Sequence, residues 1–264
     1  MEEIKKALAE ADPFASWWPF IVAGIVFVIG TVRTYMGGQP CPNGNTIPGR
    51  VIVVTGATGG IGREVCRELA RRQARCLILA CRTVEQGDAL KEQLRREAPD
   101  CVCEVSVIAD RDDPLNLRQP AQSGRDAFAH SKLAIVLGSR ALAGKLTAEG
   151  CSTTVNCCSP GLVRGTGHLR HSPIMKALFA KVLTFPWMWL FMKSPAQGAH
   201  TIVRLVTDPA LAGCTGDFFN DCERVEVSEL ARDDELADRL YRASLSAVGL
   251  TEDAARGTVR PKKE

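Results

Sequence analysis

A glycine-rich turn set directly behind a short apolar run places the strictest demand on how this chain can fold. Val51, Ile52, Val53 and Val54 are all β-branched, and Thr55, Gly56, Thr58, Gly59, Gly60, Ile61 and Gly62 follow at once. A strand must end there in a turn that only glycine can make, and a helix must begin without a spacer. The backbone N–H groups and dipole at such a helix start face an anion, and a dinucleotide pyrophosphate is the ligand this arrangement suits. The context supports that reading. The four β-branched residues suit a buried parallel strand, and Ile61, Val65, Leu69 and Ala70 fall on one face of the helix that follows.

Further along, Ala74 to Cys81 is a second apolar strand, and it ends in Arg82. In dinucleotide folds an acidic residue at this position binds the ribose 2′-hydroxyl, whereas an arginine accommodates a 2′-phosphate. Arg82 favours NADP over NAD; its alternative role is a solvated arginine opening the next helix. Thr83 to Glu97 reads as that helix. A third strand runs from Cys101 to Ile108 and ends in Ala109 and Asp110. From Arg111 to Gly124 the chain is polar and holds two prolines, with no strand pattern. A long amphipathic helix then runs from Asp126 to about Glu149, a strand is expected over Ser152–Cys157, and Ser159, Pro160, Gly161, Val163 and Thr166 form either a loop crossing a bound cofactor or a plain turn. Helices are expected again over Ser194–Asp208 and Asp233–Leu250, with a loose charged tail at 251–264.

The chain has 264 residues and a net charge of +3 with mixed signs, which gives no reason to expect nucleic-acid binding. Its eleven cysteines are odd in number and irregularly spaced, and none of the four histidines sits at zinc-ligand spacing from them. Reduced, mostly buried thiols are expected, and no metal. The N-terminus differs in kind. From Trp17 to Val32 there is no charge until Arg33, and sixteen helical residues would span about 24 Å against a hydrocarbon core of about 30 Å. Trp17, Trp18 and Tyr35 suit the two interfaces. A retained single-pass anchor is preferred over a cleaved signal peptide, because Glu2, Glu3, Glu10 and Asp12 precede the run and no small-residue cleavage site follows it. Residues 1–36 are read as the anchor, 37–49 as a linker and 50–250 as one folded domain. A second very apolar stretch, Ile174 to Met192, is broken by Lys176, Lys181 and Pro186; it reads as a lid or a membrane-dipping segment rather than a second span.

Taken together these pieces resemble the short-chain dehydrogenase/reductase family, in its membrane-anchored retinol dehydrogenase-like branch. The resemblance covers roughly Ile47 to Leu250. It rests on Ile47 to Gly56, Leu79 to Arg82, His130 to Ala134, Ser159 to Gly161, Ala196 to Ala199, Gly213 to Phe219 and Asp233 to Ala237. It implies a Rossmann-like, doubly wound parallel sheet behind one transmembrane helix, and an NADP(H)-dependent oxidoreductase acting on a retinoid or another lipophilic alcohol or carbonyl. It also implies an intracellular membrane such as the endoplasmic reticulum, and a homodimer. The cofactor would be held by Gly56, Thr58, Gly60, Ile61, Gly62, Arg82, Asp110, Lys132, Pro160, Gly161, Val163 and Thr166.

The chain departs from the family where the chemistry should be. The catalytic tyrosine is expected four residues before Lys132, on the same helical face, and Phe128 stands there instead. No counterpart of the catalytic serine is present, since Ser123 and Ser131 sit in the wrong contexts. Only 17 residues, Arg111 to Ala127, separate the third strand from the lysine helix, whereas a strand–helix–strand unit needs about 30. The sheet is therefore expected to lack its fourth and fifth strands, as an internal deletion through a shortened splice form or a misassembled gene reading would leave it. Three outcomes follow: an impaired oxidoreductase, a membrane-tethered dinucleotide binder without turnover, or a poorly folded product with exposed sheet edges.

Overall fold

The computed structural model describes residues 17–107, 124–166 and 178–250. Expectations for Asp110, for most of Arg111 to Ala127 and for the tail at 251–264 lie outside the described residues. The chain divides into two compact units, 1–38 with 162–198 and 39–161 with 199–264.

The larger unit opens with β1 (Val51–Thr55), α2 (Gly60–Arg71), β2 (Cys76–Cys81), α3 (Val84–Glu97) and β3 (Val102–Val107), following α1 (Trp18–Met36) of the other unit. These strands form a parallel sheet in the order β1-β2-β3, with Val51 opposite Cys76 and Cys76 opposite Val102. Because side chains alternate along a strand, the register sorts the sheet into two faces. Ile52, Val54, Leu77, Leu79, Cys103 and Val105 lie on one and pack against α2 and α3, with Val65, Cys66, Leu69, Leu90 and Leu94 buried over them. Gly87 lets α3 approach closely: a Cβ there would meet Val105 Cγ1 at 2.6 Å. The other face carries Val51, Val53 and Val102 at 57%, 60% and 55% exposure. The expectation of a strand buried on both faces is thus corrected. β1 is parallel but pairs only with β2 among the described residues, so it stands at the sheet's end.

The second half of this unit is built on α4 (Gly124–Ala148) and β4 (Cys157–Ser159), followed after the smaller unit's segment by α6 (Pro195–Thr207), β5 (Phe218–Asn220), β6 (Glu223–Arg224) and α7 (Asp234–Ala247). β4 pairs parallel with β5, and β5 antiparallel with β6, in a second small sheet. The expected strand over Ser152–Cys157 is shifted. Val155 and Asn156 bond instead to side chains and loop backbone: Thr215 Oγ1 accepts from Val155 N–H, and the Asn156 amide bridges Cys214 O and Asp217 N–H. The ladder starts only at Cys157. α4 packs along α7 and is tied to it by Arg140–Asp234 and Lys145–Asp238 ion pairs, both 3.0 Å. The Asp233 carboxylate caps α7 by accepting from Leu236 N–H at 2.9 Å.

Arg72, 8% exposed at the end of α2, fastens the segment before β1. Its guanidinium donates to Asn43 Oδ1 and O at 2.8 Å, to Asn45 O, and to Thr207 Oγ1, while Glu68 accepts from Nε at 3.0 Å. Four of its five N–H donors are spent on backbone and side chains far apart in sequence.

The smaller unit holds α1 and α5 (Leu178–Phe191). α1 has 19 residues, none buried, and is the one helix among the described residues long and apolar enough to cross a membrane. α5 has 14 residues and holds Pro186 inside it.

Candidate dinucleotide site

The turn between β1 and α2 has the shape its glycines require. Gly56 takes φ +65°, in the left-handed region. Gly59 N–H donates back to Gly56 O at 2.9 Å, and Ala57 N–H donates to Ala80 O at 3.4 Å, which docks the turn on β2. A Cβ on Gly62 would overlap the Gly56 carbonyl oxygen, and one on Gly59 would approach it to 3.2 Å. The first helical bond at this end is Arg63 N–H to Gly59 O at 2.8 Å. The N–H groups of Gly60, Ile61 and Gly62 consequently have no carbonyl behind them within the helix, and no side chain caps them. Three backbone donors at a positive helix end, with side-chain bulk removed, fit a pyrophosphate. Gly59, which caps α2, belongs with these residues; its signal was the spacing of the motif itself.

Arg82 follows β2 directly and is exposed. Thr55 and Ala80 are register partners, so the glycine turn and Arg82 leave the sheet at the same edge. On α4, Lys132 and Phe128 are one turn apart, with Lys132 Nζ 5.3 Å from the centre of the Phe128 ring, and Ser131 Oγ donates to Phe128 O at 2.7 Å. Pro160 and Gly161 follow β4, where Gly161 has φ +70° and donates its N–H to Ser159 Oγ at 3.1 Å. No hydrogen bond joins them to the glycine turn. Val163 and Thr166 belong to the smaller unit, where Val163 is buried and bridges to Lys193, and Thr166 Oγ1 donates to Val163 O at 3.2 Å.

Nearby chemistry is quiet. Burial, and then the neighbouring thiols of Cys157 and Cys222, push the Cys158 thiol up to about 11, which leaves it neutral beside Ser159. Five of the eleven cysteines are buried, and among the described residues no cluster of His, Cys, Asp or Glu could hold a metal ion. A cavity of about 500 Å³ between α4 and the second sheet is lined by Arg140, Asp217, Arg224 and Glu226. Its charges are already matched, Arg224 to Asp217 at 2.6 Å and Arg232 to Glu226 at 3.5 Å, and neither Lys132 nor the glycine turn reaches it.

Residues 50–122 match the sequence profile of the short chain dehydrogenases. The chain is 27% identical to human retinol dehydrogenase 13 over 91% of its own length and 96% of that protein's. It is 30% identical to bovine dehydrogenase/reductase SDR family member 13 over 81% of its length and 78% of that protein's. The alignment with the human protein runs over 326 positions while drawing on 91% of 264 residues, so about 86 positions face gaps in this chain. Among solved structures, an uncharacterized protein from Mycobacterium paratuberculosis superposes with a TM-score of 0.59 at 18% identity, over 81% of this chain and 98% of that one, which establishes the shared fold.

Proposed function

Because this chain belongs to the short-chain dehydrogenase/reductase family, in its retinol dehydrogenase-like branch, we propose that it is a membrane-tethered NADP(H) binder that retains the family's cofactor cradle and has lost its proton relay. The family's oxidoreductases use a nicotinamide dinucleotide; the preference for NADP here rests on Arg82 standing where a ribose-binding carboxylate would exclude a 2′-phosphate. The names of the relatives make a retinoid the first lipophilic carbonyl to test. In this reading 1–36 anchors the protein in an intracellular membrane, 37–49 links, and 50–250 carries the dinucleotide fold.

When bound, the nicotinamide supplies a hydride to a carbonyl carbon. The carbonyl oxygen must then gain a proton, and the residue positioned to give it has none to give. Phe128 keeps the aromatic ring beside Lys132 without the hydroxyl, and that pair is the observation on which the reading rests. Loss of a positioned general acid costs about 10²–10⁴-fold. Lys132 remains able to orient the ribose hydroxyls through its ammonium donors. The gaps facing about 86 aligned positions support a missing segment, which we place between β3 and α4, where only 16 residues intervene (108–123) and the described sheet ends at β1.

The test is a pair of assays on the membrane-reconstituted chain. NADP+ raises its unfolding temperature, as linkage requires of a native-state ligand, and NADPH-dependent retinal reduction stays at background beside an active full-length relative. Turnover matching that relative, or no stabilisation by NADP+, overturns the reading.

A further inference from the structure

In the smaller unit, a web of polar contacts fixes the C-terminal end of α5 to the end of α1. Arg33 is the first charged residue after the apolar run of α1. Its Nη1 donates to Met192 O and its Nη2 to Gln197 Oε1, both at 2.9 Å, and its guanidinium lies 5.5 Å from the centre of the Trp189 ring. Arg164 donates to the same Met192 carbonyl at 3.1 Å and to Trp189 O at 3.4 Å. Two arginines thus satisfy the carbonyls that the end of α5 leaves without helical donors. Gly37 makes room for the Gln197 amide, since a Cβ there would come 2.5 Å from its nitrogen. Gln197 also accepts from Ser194 N–H while Ser194 Oγ accepts from Gln197 N–H, a reciprocal capping box.

From this joint α5 presents large apolar groups outward. Phe185 is 61% exposed and Trp187 65%, and the rings of Trp187 and Phe191 stack at 5.8 Å on the helix surface. No charged residue occurs from Thr184 to Met192. A contiguous aromatic surface of this kind marks an interaction site in a soluble protein. Here it is continuous, through Trp189 and Arg33, with a helix whose every described residue is unburied. Fourteen residues reach about 21 Å, too short for a hydrocarbon core of about 30 Å.

We infer that α5 dips into the lipid bilayer beside the anchor, with Trp189 and Arg33 at headgroup depth and Trp187 and Phe185 in the acyl region. This rests on the reading of α1 as the membrane anchor. Tryptophan at the interface with arginine on its polar side is the arrangement bilayers select, and a short apolar helix bound at the surface needs no second crossing.

The four tryptophans allow a direct test on the full chain in phosphatidylcholine vesicles. The W17F/W18F variant reports only Trp187 and Trp189, and the W187F/W189F variant only the anchor pair. With lipids brominated near the headgroup or deep in the acyl chain, the inference predicts strong quenching of the Trp187 and Trp189 pair, the shallow label reaching Trp189 and the deep label Trp187. If the anchor pair is quenched while Trp187 and Trp189 are not, and these remain open to acrylamide, the inference falls and the anchor stands. If neither pair is quenched, both fall. Phenylalanine keeps the aromatic volume in each variant, and an unchanged helical circular dichroism spectrum identifies the folded samples used.

Discussion

Lys132 Nζ lies 5.3 Å above the Phe128 ring, one helical turn away on α4, at the position where the sequence resemblance implies a catalytic phenol. The ammonium is thus placed to act on a hydroxyl that the side chain does not carry. In F128Y the new phenol titrates below its ordinary value near 10, because an adjacent cation favours the phenolate. Ultraviolet difference titration of F128Y against the native chain, which has two tyrosines, Tyr35 and Tyr241, isolates the new phenol. A new phenol titrating at or above its ordinary value near 10 contradicts the pairing.

Gly62 has no room for a side chain beneath the Gly56 carbonyl. G62A forces the turn open, costing about 1–3 kcal/mol as overpacking does, and weakens NADP+ binding roughly tenfold or more, since 1.4 kcal/mol is a factor of ten. Denaturant unfolding and NADP+ titration of the same variant measure the two effects. G138A is the control, as nothing lies within 4 Å of a Cβ there.

Arg72 is the buried fastener between α2, the stretch at Asn43–Asn45 and Thr207. R72A removes several charge-assisted hydrogen bonds, one of them to the buried Thr207, for a loss of about 3 kcal/mol. R72K recovers only part of it, because an ammonium cannot reproduce the planar fork. Urea denaturation orders the three proteins as native, R72K, R72A.

Cys66 and Cys101 are both pushed up to about 12, in each case first by burial and then by neighbouring thiols. The folded state holds these protons above pH 9, where an unfolded thiol releases them. Between about pH 9 and 12 the native state therefore binds more protons, and stability falls as pH rises through that window. Thermal unfolding at pH 8 and pH 10 shows the drop. Cys41, Cys151 and Cys214, which are partly exposed, react with a disulfide reagent at pH 8 before Cys66 does.

The first half of the larger unit was legible because the local signals agreed: a β-branched strand, a glycine turn and an amphipathic helix, then an apolar strand and a charged helix. β1, α2, β2, α3 and β3 fall within two residues of their sequence expectations. β4 was misplaced because Thr153, Thr154 and Val155 have strand propensity, whereas Asn156 and Thr215 offer the backbone side-chain partners that no propensity scale contains. Val51 and Val53 point to the sheet face opposite α2 and α3, where they stay exposed among the described residues, and composition alone would bury both. Arg72 stands in a run of arginines and glutamates that carries no local signal of burial. Its burial depends on Asn43 and Thr207, 29 residues before and 135 after it, a coincidence that no local window can reveal.

The claim that the cradle survives without its chemistry is tested most directly by the fluorescence of NADPH titrated with the reconstituted chain, with retinal then added. The account predicts an enhanced signal that saturates with protein and stays constant after retinal is supplied. A signal that never rises, or one that rises and then decays as NADPH is consumed, contradicts it.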